Sequence, residues 1–289
     1  MPTVAIVTDS CASLPESFIA DLNIHWVPYY LHRGSEVLRD LVSVQREEFL
    51  AWLRTATILP TTASPGPAEY LDLYIKLARE SGVTEIASLH MTSLGSGAYQ
   101  AARIAQSMAL EELPEVRIAV IDTRNVSLCQ GWMVIEAARA ALAGLKLDEI
   151  VALVQKMIPI TRMIQTADTL KYLYLGGRIG RAQHLMGTLL NIKPLISMED
   201  GVIVPLGTTR SRGKAYQRMV ELVEAAAGKM GKIKIAYVHA GARQEVEKIK
   251  ALIEVCLDVV ESFIAELSPV LAVHTGPGTA GVCYYPLGG

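Results

Sequence analysis

The alternation of short apolar runs with helical stretches is the feature that most constrains this chain. Val4 to Val7, Thr84 to His90 and Val116 to Ile121 are apolar runs of strand length, and each leads into a stretch with helical signals. Strands that alternate with helices in this way are typical of parallel sheets joined by crossover helices. We therefore expect an α/β fold.

Helix boundaries in the first half are marked by capping residues. Ser13 and Glu16 have the spacing of a capping box, and Ser64 with Pro65 has the pattern of an N-cap followed by proline at the first helical position. Gly82 is placed to end the second of these helices. A single strand is expected from Ile24 to Leu31.

The pattern changes character near Pro159. Leu195 to Met198 and Val202 to Leu206 predict a hairpin closed by Asp200-Gly201, and further helices and strands follow. These signals predict two domains, residues 1–160 with a Rossmann-like parallel sheet and residues 161–289 with a mixed α/β sheet.

Composition excludes several classes of protein. The 289 residues carry 27 basic and 29 acidic side chains, and because there is no basic run we expect no nucleic-acid partner. No signal peptide or membrane span is recognisable, so we expect a cytoplasmic protein that is not integral to a membrane. Neither a metal site nor a disulfide framework is expected, because the four cysteines lie far apart, at Cys11, Cys129, Cys256 and Cys283.

Hydroxyl side chains cluster where strands of the predicted sheet end. Thr8-Asp9-Ser10 follows the first strand, Pro60-Thr61-Thr62 precedes a helix, and Met91 to Gly97 follows a third run. In open parallel sheets the ligand crevice lies beyond the carboxyl ends of the strands. The glycines at 95 and 97 are expected to let a turn expose its N–H groups to an anion at a helix start.

The types of donor favour a carboxylate over a phosphate. A phosphate loop more often recruits lysine or arginine, as in GxxxxGK[ST], and that pattern does not occur here. Hydroxyls, an N–H group and the imidazole of His274 could satisfy a carboxylate. Taken singly, each hydroxyl cluster also fits ordinary turn and capping residues, and His274 fits a structural histidine.

Eight segments, in order and approximate spacing, resemble the DegV family of bacterial fatty-acid-binding proteins over nearly the whole chain. They are Thr8-Asp9-Ser10, Pro60-Thr61-Thr62, Thr92-Ser93 with Ser96 to Gln100, Asp122-Thr123, Leu173 to Ile179, Asn191 to Pro194, His239-Ala240 and His274 to Gly278.

The resemblance implies a fatty-acid carrier of two domains with the ligand site between them. Its residues would be Thr62, Ser93 and His274 on the carboxylate, with Ser96 and Gly95 in the same loop. The tail, from a long chain such as palmitate, stearate or oleate, would lie in an apolar tunnel covered by the second domain. No further cofactor and no catalytic residue is implied; a separate fatty acid kinase would phosphorylate the carboxylate, and an acyltransferase is a further expected partner.

The chain also departs from the family pattern. Thr62-Ala63-Ser64-Pro65-Gly66 keeps the threonine and the proline of the usual Thr-Ser-Gln-Pro-Ser but loses two side-chain donors. Gly95 stands where leucine is frequent, and Thr275 where an apolar residue is common. These changes bear on the shape of the tunnel and so on the preferred chain.

Two arginines on predicted turns invite a docking role. Arg178 follows Gly176-Gly177 and Arg210 follows Thr208-Thr209. Exposed arginines suit recruitment of a partner enzyme, although most surface arginines are only solvated.

Two other functions remain open from the residues. A serine hydrolase could combine Ser93 or Ser96 with His274 and Asp9, but the Gly-x-Ser-x-Gly pattern is absent. A kinase-like role would rest on fold kinship with the substrate-binding subunit of dihydroxyacetone kinase, and the chain carries no nucleotide motif.

Overall fold

The computed structural model describes residues 4–187 and 192–287 of the chain. Asn191, in one of the segments that resemble the DegV family, lies outside them. The strands are β1 (Val4–Asp9), β2 (Ile24–Val27), β3 (Tyr30–Arg33), β4 (Glu36–Arg39), β5 (Thr61–Ala63), β6 (Glu85–His90), β7 (Arg117–Asp122), β8 (Arg162–Thr166), β9 (Lys193–Glu199), β10 (Val202–Thr209), β11 (Lys232–His239), β12 (Asp258–Glu266) and β13 (Ala280–Pro286). The helices are α1 (Glu16–Asp21), α2 (Arg46–Leu53), α3 (Pro67–Ser81), α4 (Ala98–Glu112), α5 (Leu128–Leu142), α6 (Leu147–Met157), α7 (Lys171–Leu175), α8 (Arg212–Ala227), α9 (Arg243–Cys256) and α10 (Pro269–Thr275), with 3-10 turns at Ser10–Ala12 and Gly180–Gly187.

The chain forms two compact units that are not continuous segments. The first comprises Met1–Val42 and Thr62–Pro159, and the second comprises Ser43–Thr61 and Ile160–Gly289. Residues 43–61, which belong to the second unit, contain α2, and the hydrogen-bond partners of α2 lie far along the chain. Arg46 Nε donates to the Glu266 carbonyl (3.0 Å), and Arg54 Nη2 donates to the Gly241 carbonyl (2.9 Å). Helix α2, which has 8 residues and begins after Gln45 without a side-chain cap hydrogen bond, was not predicted from the sequence.

A parallel sheet of four strands, in the order β2-β1-β6-β7, forms the centre of the first unit. The predicted strand from Ile24 to Leu31 is in fact two strands in different sheets, since β3 belongs to the small sheet β4-β3-β5. Pro28 lies at the break, where its missing N–H and fixed φ interrupt the ladder.

Two predicted helix starts differ in detail from the structure. Helix α3 begins at Pro67, and the Gly66 N–H donates to Glu69 Oε2 (3.0 Å), so the cap lies two residues beyond the predicted Ser64. The capping box at Ser13 is wrong. Ser13 adopts φ of 52° and ends the 3-10 turn, while α1 starts at Glu16 without a side-chain cap. Gly82 ends α3 in the left-handed conformation, as predicted.

The second unit contains a mixed sheet of six strands, in the order β10-β9-β8-β13-β11-β12. The predicted hairpin is confirmed, because β9 and β10 pair antiparallel around Asp200 and Gly201, with φ of 48° and 82°. Helices α8 and α9 bury their apolar faces on this sheet around Tyr237. The predicted α/β class, with one parallel and one mixed sheet, is confirmed.

Within residues 4–187 and 192–287, no helix combines the length and the apolar character that a bilayer crossing needs.

Candidate functional site

The loop between β6 and α4 carries Ser93, and it is held in place by the neighbouring strand β7. The Ser93 N–H faces both oxygens of the Asp122 carboxylate, at 3.3 Å each. Asp122 also accepts from the Arg124 N–H (2.8 Å), and the Thr92 N–H donates to the Asn125 carbonyl (2.8 Å). The loop is therefore fixed through its backbone, and the exposed Ser93 side chain projects from a rigid base.

Three consecutive N–H groups of the same loop donate hydrogen bonds within the protein. Besides Ser93, Leu94 and Gly95 donate to the side chain and carbonyl of Thr92 (3.3 and 3.1 Å). These three N–H groups are therefore engaged within the protein, whereas the Ser93 side chain is exposed to a ligand.

The two glycines of this loop serve close packing rather than an unusual backbone conformation. Gly95 has no positive φ, and Gly97 adopts φ of −78°. A Cβ at Gly97 would lie 3.2 Å from Ser64 Oγ, and one at Gly95 would lie 3.3 Å from Thr92 Cγ2. Both glycines therefore leave room for neighbouring side chains, and neither adopts a left-handed backbone conformation.

Ser96 is half-buried and has two protein partners. Its Oγ lies 2.6 Å from the Tyr29 hydroxyl and accepts from the Ala98 N–H (3.3 Å) at the start of α4. Tyr29 is almost completely buried, and burial raises its pKa well above the usual value, so the phenol keeps its proton.

Thr62 lies half-buried in β5, one strand of the small sheet in the first unit. Two residues on, Ser64 approaches Gly97 of the Ser93 loop, and a Cβ at Gly97 would lie only 3.2 Å from Ser64 Oγ. The predicted Thr62 and Ser93 clusters therefore come from neighbouring segments within the first unit.

His274 lies in the last turn of α10 in the second unit, where its imidazole is partly buried. Burial lowers its pKa to about 4, and the positive charge of Arg178 acts in the same direction. The backbone of Gly176 packs against the ring so closely that a Cβ would overlap Nδ1. At neutral pH the residue is thus an uncharged donor or acceptor held by its neighbours.

Arg178 and Arg210 are both exposed in the second unit. Arg178 Nη1 donates to the Gly176 carbonyl (2.7 Å), so its guanidinium turns back toward the segment that packs on His274. Arg210 follows β10. The exposure of both side chains is compatible with the predicted docking role.

A buried chain of hydrogen bonds surrounds Asp9 in the first unit. His90 Nδ1 lies 3.0 Å from Asp9 Oδ2, and both side chains are 0% exposed. Ser88 Oγ lies 2.7 Å from His90 Nε2 and accepts from the Tyr74 hydroxyl (2.8 Å). These contacts form a continuous buried network from Tyr74 through Ser88 and His90 to Asp9.

This network of hydrogen bonds excludes Asp9 as the acid of a Ser-His-Asp triad in the hydrolase alternative. Its second oxygen accepts from the Cys11 N–H (3.1 Å) and from Gln130 Nε2 (3.2 Å), so both oxygens are engaged. A fully buried and fully bonded carboxylate is not available to orient His274. Ser88 itself has the spacing of a nucleophile beside His90, but it is 0% exposed and out of reach of substrate.

A polar cleft of about 720 Å³ lies in the second unit, at the carboxyl end of β11. Its charged and titratable lining residues are Glu47, Arg212, His239, Arg243, Glu245 and Glu266. Such walls do not suit a saturated chain, because they would lose hydration without gaining partners. Across the described ranges, no group of three or more histidine, cysteine, aspartate or glutamate side chains could hold a metal ion.

Sequence reasoning missed three residues that support the predicted site. Tyr29 contacts Ser96, Asp122 contacts the Ser93 backbone, and Gly176 packs on His274. Asp122 and Gly176 lie in segments that resemble the family, which is the signal that could have found them. Tyr29 gives no such signal.

Comparison with known proteins places the chain in a defined class. A family model described as "Uncharacterised protein, DegV family" matches residues 3–287. A DegV domain-containing protein of Caldanaerobacter subterraneus is 31% identical over 284 residues, which cover 98% of this chain and 99% of that protein.

Solved structures agree with this match. One, described as fatty acid binding of a DegV family protein from Thermus thermophilus, superposes with a TM-score of 0.90 at 30% identity and covers 98% of this chain and 99% of that one. A stearic acid-binding protein from Eubacterium ventriosum gives a TM-score of 0.86 at 25% identity, with 98% of each chain covered.

Fold and matches together define a class of α/β proteins in which a parallel sheet and a mixed sheet are built from one chain. Within that class, the chain belongs to the DegV family.

Proposed function

We propose that this protein is a carrier that binds one long-chain fatty acid. The carboxylate would be held by the hydroxyls of Thr62, Ser93 and Ser96 and by the imidazole of His274. The observation that carries the proposal is the neutrality of these donors, above all the pKa of His274 at about 4. The structural neighbours described as fatty-acid-binding support the same ligand class.

Neutral donors suit a ligand whose affinity comes from its tail. Each buried methylene contributes roughly 0.8 kcal/mol, so a long saturated chain contributes on the order of 10 kcal/mol. The head group then requires positioning more than strength. A guanidinium clamp would add a strong charge-assisted pair that any enzyme acting on the carboxylate would have to break.

The carrier would present its ligand rather than transform it. A separate fatty acid kinase would form the acyl phosphate, and an acyltransferase would use the product, both in the cytoplasm. The exposed Arg178, close to His274, is the proposed contact for the kinase, with Arg210 as a second contact. Kinase-dependent phosphorylation of the bound chain, reduced by Arg178→Ala, would support this step; an unchanged rate would exclude that contact.

The first prediction concerns the ligand itself. Protein purified from a bacterial host should release a long-chain fatty acid on denaturing extraction, close to one chain per protein, as measured by mass spectrometry. Thr62→Ala and Ser93→Ala should each weaken rebinding of palmitate several-fold, because each removes one hydrogen bond to a charged group.

A matched control is Ser107→Ala, which removes an exposed hydroxyl elsewhere on α4. It should leave affinity and the unfolding temperature unchanged. Complete absence of acyl chain, together with no palmitate binding by stripped protein, would reject the carrier function. If palmitate affinity is unchanged in both Thr62→Ala and Ser93→Ala, the carboxylate is held by other residues.

A further inference from the structure

Tyr29 is anchored at three points inside the first unit. Its N–H donates to Ser10 Oγ (3.1 Å), and its carbonyl accepts from the Asp40 N–H (2.9 Å). Its side chain is 3% exposed, and its hydroxyl lies 2.6 Å from Ser96 Oγ. A buried aromatic ring held in this way gives the hydroxyl a fixed position.

The arrangement of hydrogens around Ser96 decides what that hydroxyl can do. A serine oxygen has two lone pairs and one hydrogen. The Ala98 N–H (3.3 Å) occupies one lone pair. When Tyr29 donates to the second, the oxygen is saturated as an acceptor, and the Ser96 hydrogen is left to point outward.

A ligand head group selects between the two directions of this bond. An ionised carboxylate only accepts hydrogen bonds, so it requires the Ser96 hydrogen and therefore a donating Tyr29. A primary alcohol can donate as well as accept, so it is satisfied by either direction. Burial of Tyr29 favours retention of its proton, which is what the donating role needs.

We propose that Tyr29 is a positioning residue that turns Ser96 into a dedicated donor and so favours carboxylates over alcohols of the same chain length. The inference rests on the proposed function. It adds to that function a residue outside the predicted site and a preference between head groups.

The test is a double-mutant cycle on delipidated full-length protein, with palmitate and hexadecanol as titrants in calorimetry. Tyr29→Phe should weaken palmitate binding about three- to tenfold, the range of one ordinary hydrogen bond, and should change hexadecanol binding less than twofold. In a Ser96→Ala background, Tyr29→Phe should cause no further loss, because its effect acts through Ser96.

Tyr74→Phe is the matched control, since Tyr74 is also buried and also donates to a serine, Ser88, outside the head-group loop. It should leave palmitate affinity within twofold of wild type. Additive losses in the cycle, or equal losses for palmitate and hexadecanol, would overturn the role of Tyr29.

If Tyr29→Phe does not fold, the wild-type protein still provides a test. The Tyr29 hydroxyl proton should move downfield in NMR spectra when palmitate is added, because the chain of bonds polarises, and an unmoved resonance would reject the inference. Failure of the wild type to bind palmitate at all would instead reject the proposed function, and this inference with it.

Discussion

His274 keeps its imidazole neutral because two independent effects act on it in the same direction. Burial removes water that would stabilise the imidazolium, and the nearby guanidinium of Arg178 repels a second positive charge. The sequence does not show that His274 is buried or that Arg178 lies near it. The motif could therefore suggest His274 as a site residue but could not predict its charge state.

The charge state of His274 leads to a prediction about pH. Its pKa of about 4 lies below the unfolded value near 6.5. Between these values the unfolded chain binds more protons, so the free energy of unfolding should fall as the pH is lowered through this window. Arg178→Gln should raise the pKa of His274 and weaken this dependence, as measured by NMR titration of the ring.

Burial is the larger cause, so the shift in Arg178→Gln should be partial. His184→Gln, a change at an exposed histidine, should leave the titration of His274 as it is. A His274 pKa that does not respond to the loss of Arg178 would show that burial alone keeps the ring neutral.

Other residues show how far a motif can be followed from sequence. Thr62, Ser93, Ser96 and His274 were chosen from their motif positions. The structure places the first three on neighbouring segments of the first unit and His274 on α10 of the second. Tyr29 could not be chosen, because a tyrosine in an apolar run is most often only core and its partner Ser96 is distant in sequence.

At the scale of helices and strands, α5 shows why local signals fail. Ser127 and Gln130 have capping-box spacing, yet Ser127 makes no cap hydrogen bond and adopts φ of 58°. Gln130 instead donates to Thr8 and Asp9 on β1. A distant polar network therefore overrides the local capping pattern.

Gly176, directly after α7, packs against His274 in the last turn of α10, and this contact can be tested by substitution. Gly176 has an ordinary backbone conformation (φ of −75°), so alanine is penalised there by contacts, chiefly with the His274 ring and to a lesser degree with the Tyr172 carbonyl oxygen at 3.1 Å. Gly176→Ala should displace the ring, raise its pKa by admitting water, and lower the free energy of unfolding by about 1–3 kcal/mol. Denaturant unfolding and NMR titration measure these effects.

Gly213, in the first turn of α8, is the matched control. It is exposed and has open space around the position of a Cβ. Gly213→Ala should therefore stabilise the protein slightly, by about 0.5–1 kcal/mol. If Gly176→Ala is equally harmless, the tight packing on His274 has no energetic consequence.

At the scale of the whole molecule, the sequence predicted the α/β class from its alternating periodicity but not the path of the chain. The change near Pro159 is visible because strand and helix signals change there. The assignment of residues 43–61 to the second unit is not visible in the sequence. It depends on hydrogen bonds from α2 to Gly241 and Glu266, which are distant along the chain.

The division into two units predicts which part of the protein a core substitution destabilises. Phe49 of α2 is 0% exposed, and Phe49→Ala should lower stability by about 3–5 kcal/mol. Hydrogen exchange should then accelerate chiefly in peptides from the second unit, although Phe49 precedes most of the first unit in sequence. Leu77→Ala in α3 should instead accelerate exchange in the first unit. Uniform acceleration in both variants would contradict the division.

The position of α2 has a consequence for biosynthesis. Its buried side chains Phe49, Leu50 and Leu53 leave the ribosome before the whole of residues 62–159, yet its hydrogen-bond partners lie near residues 241 and 266. At 5–20 residues per second, the delay is roughly 10 to 40 s. During that interval an apolar helix face waits without its native partner, so the nascent chain depends on transient contacts or a chaperone to protect it.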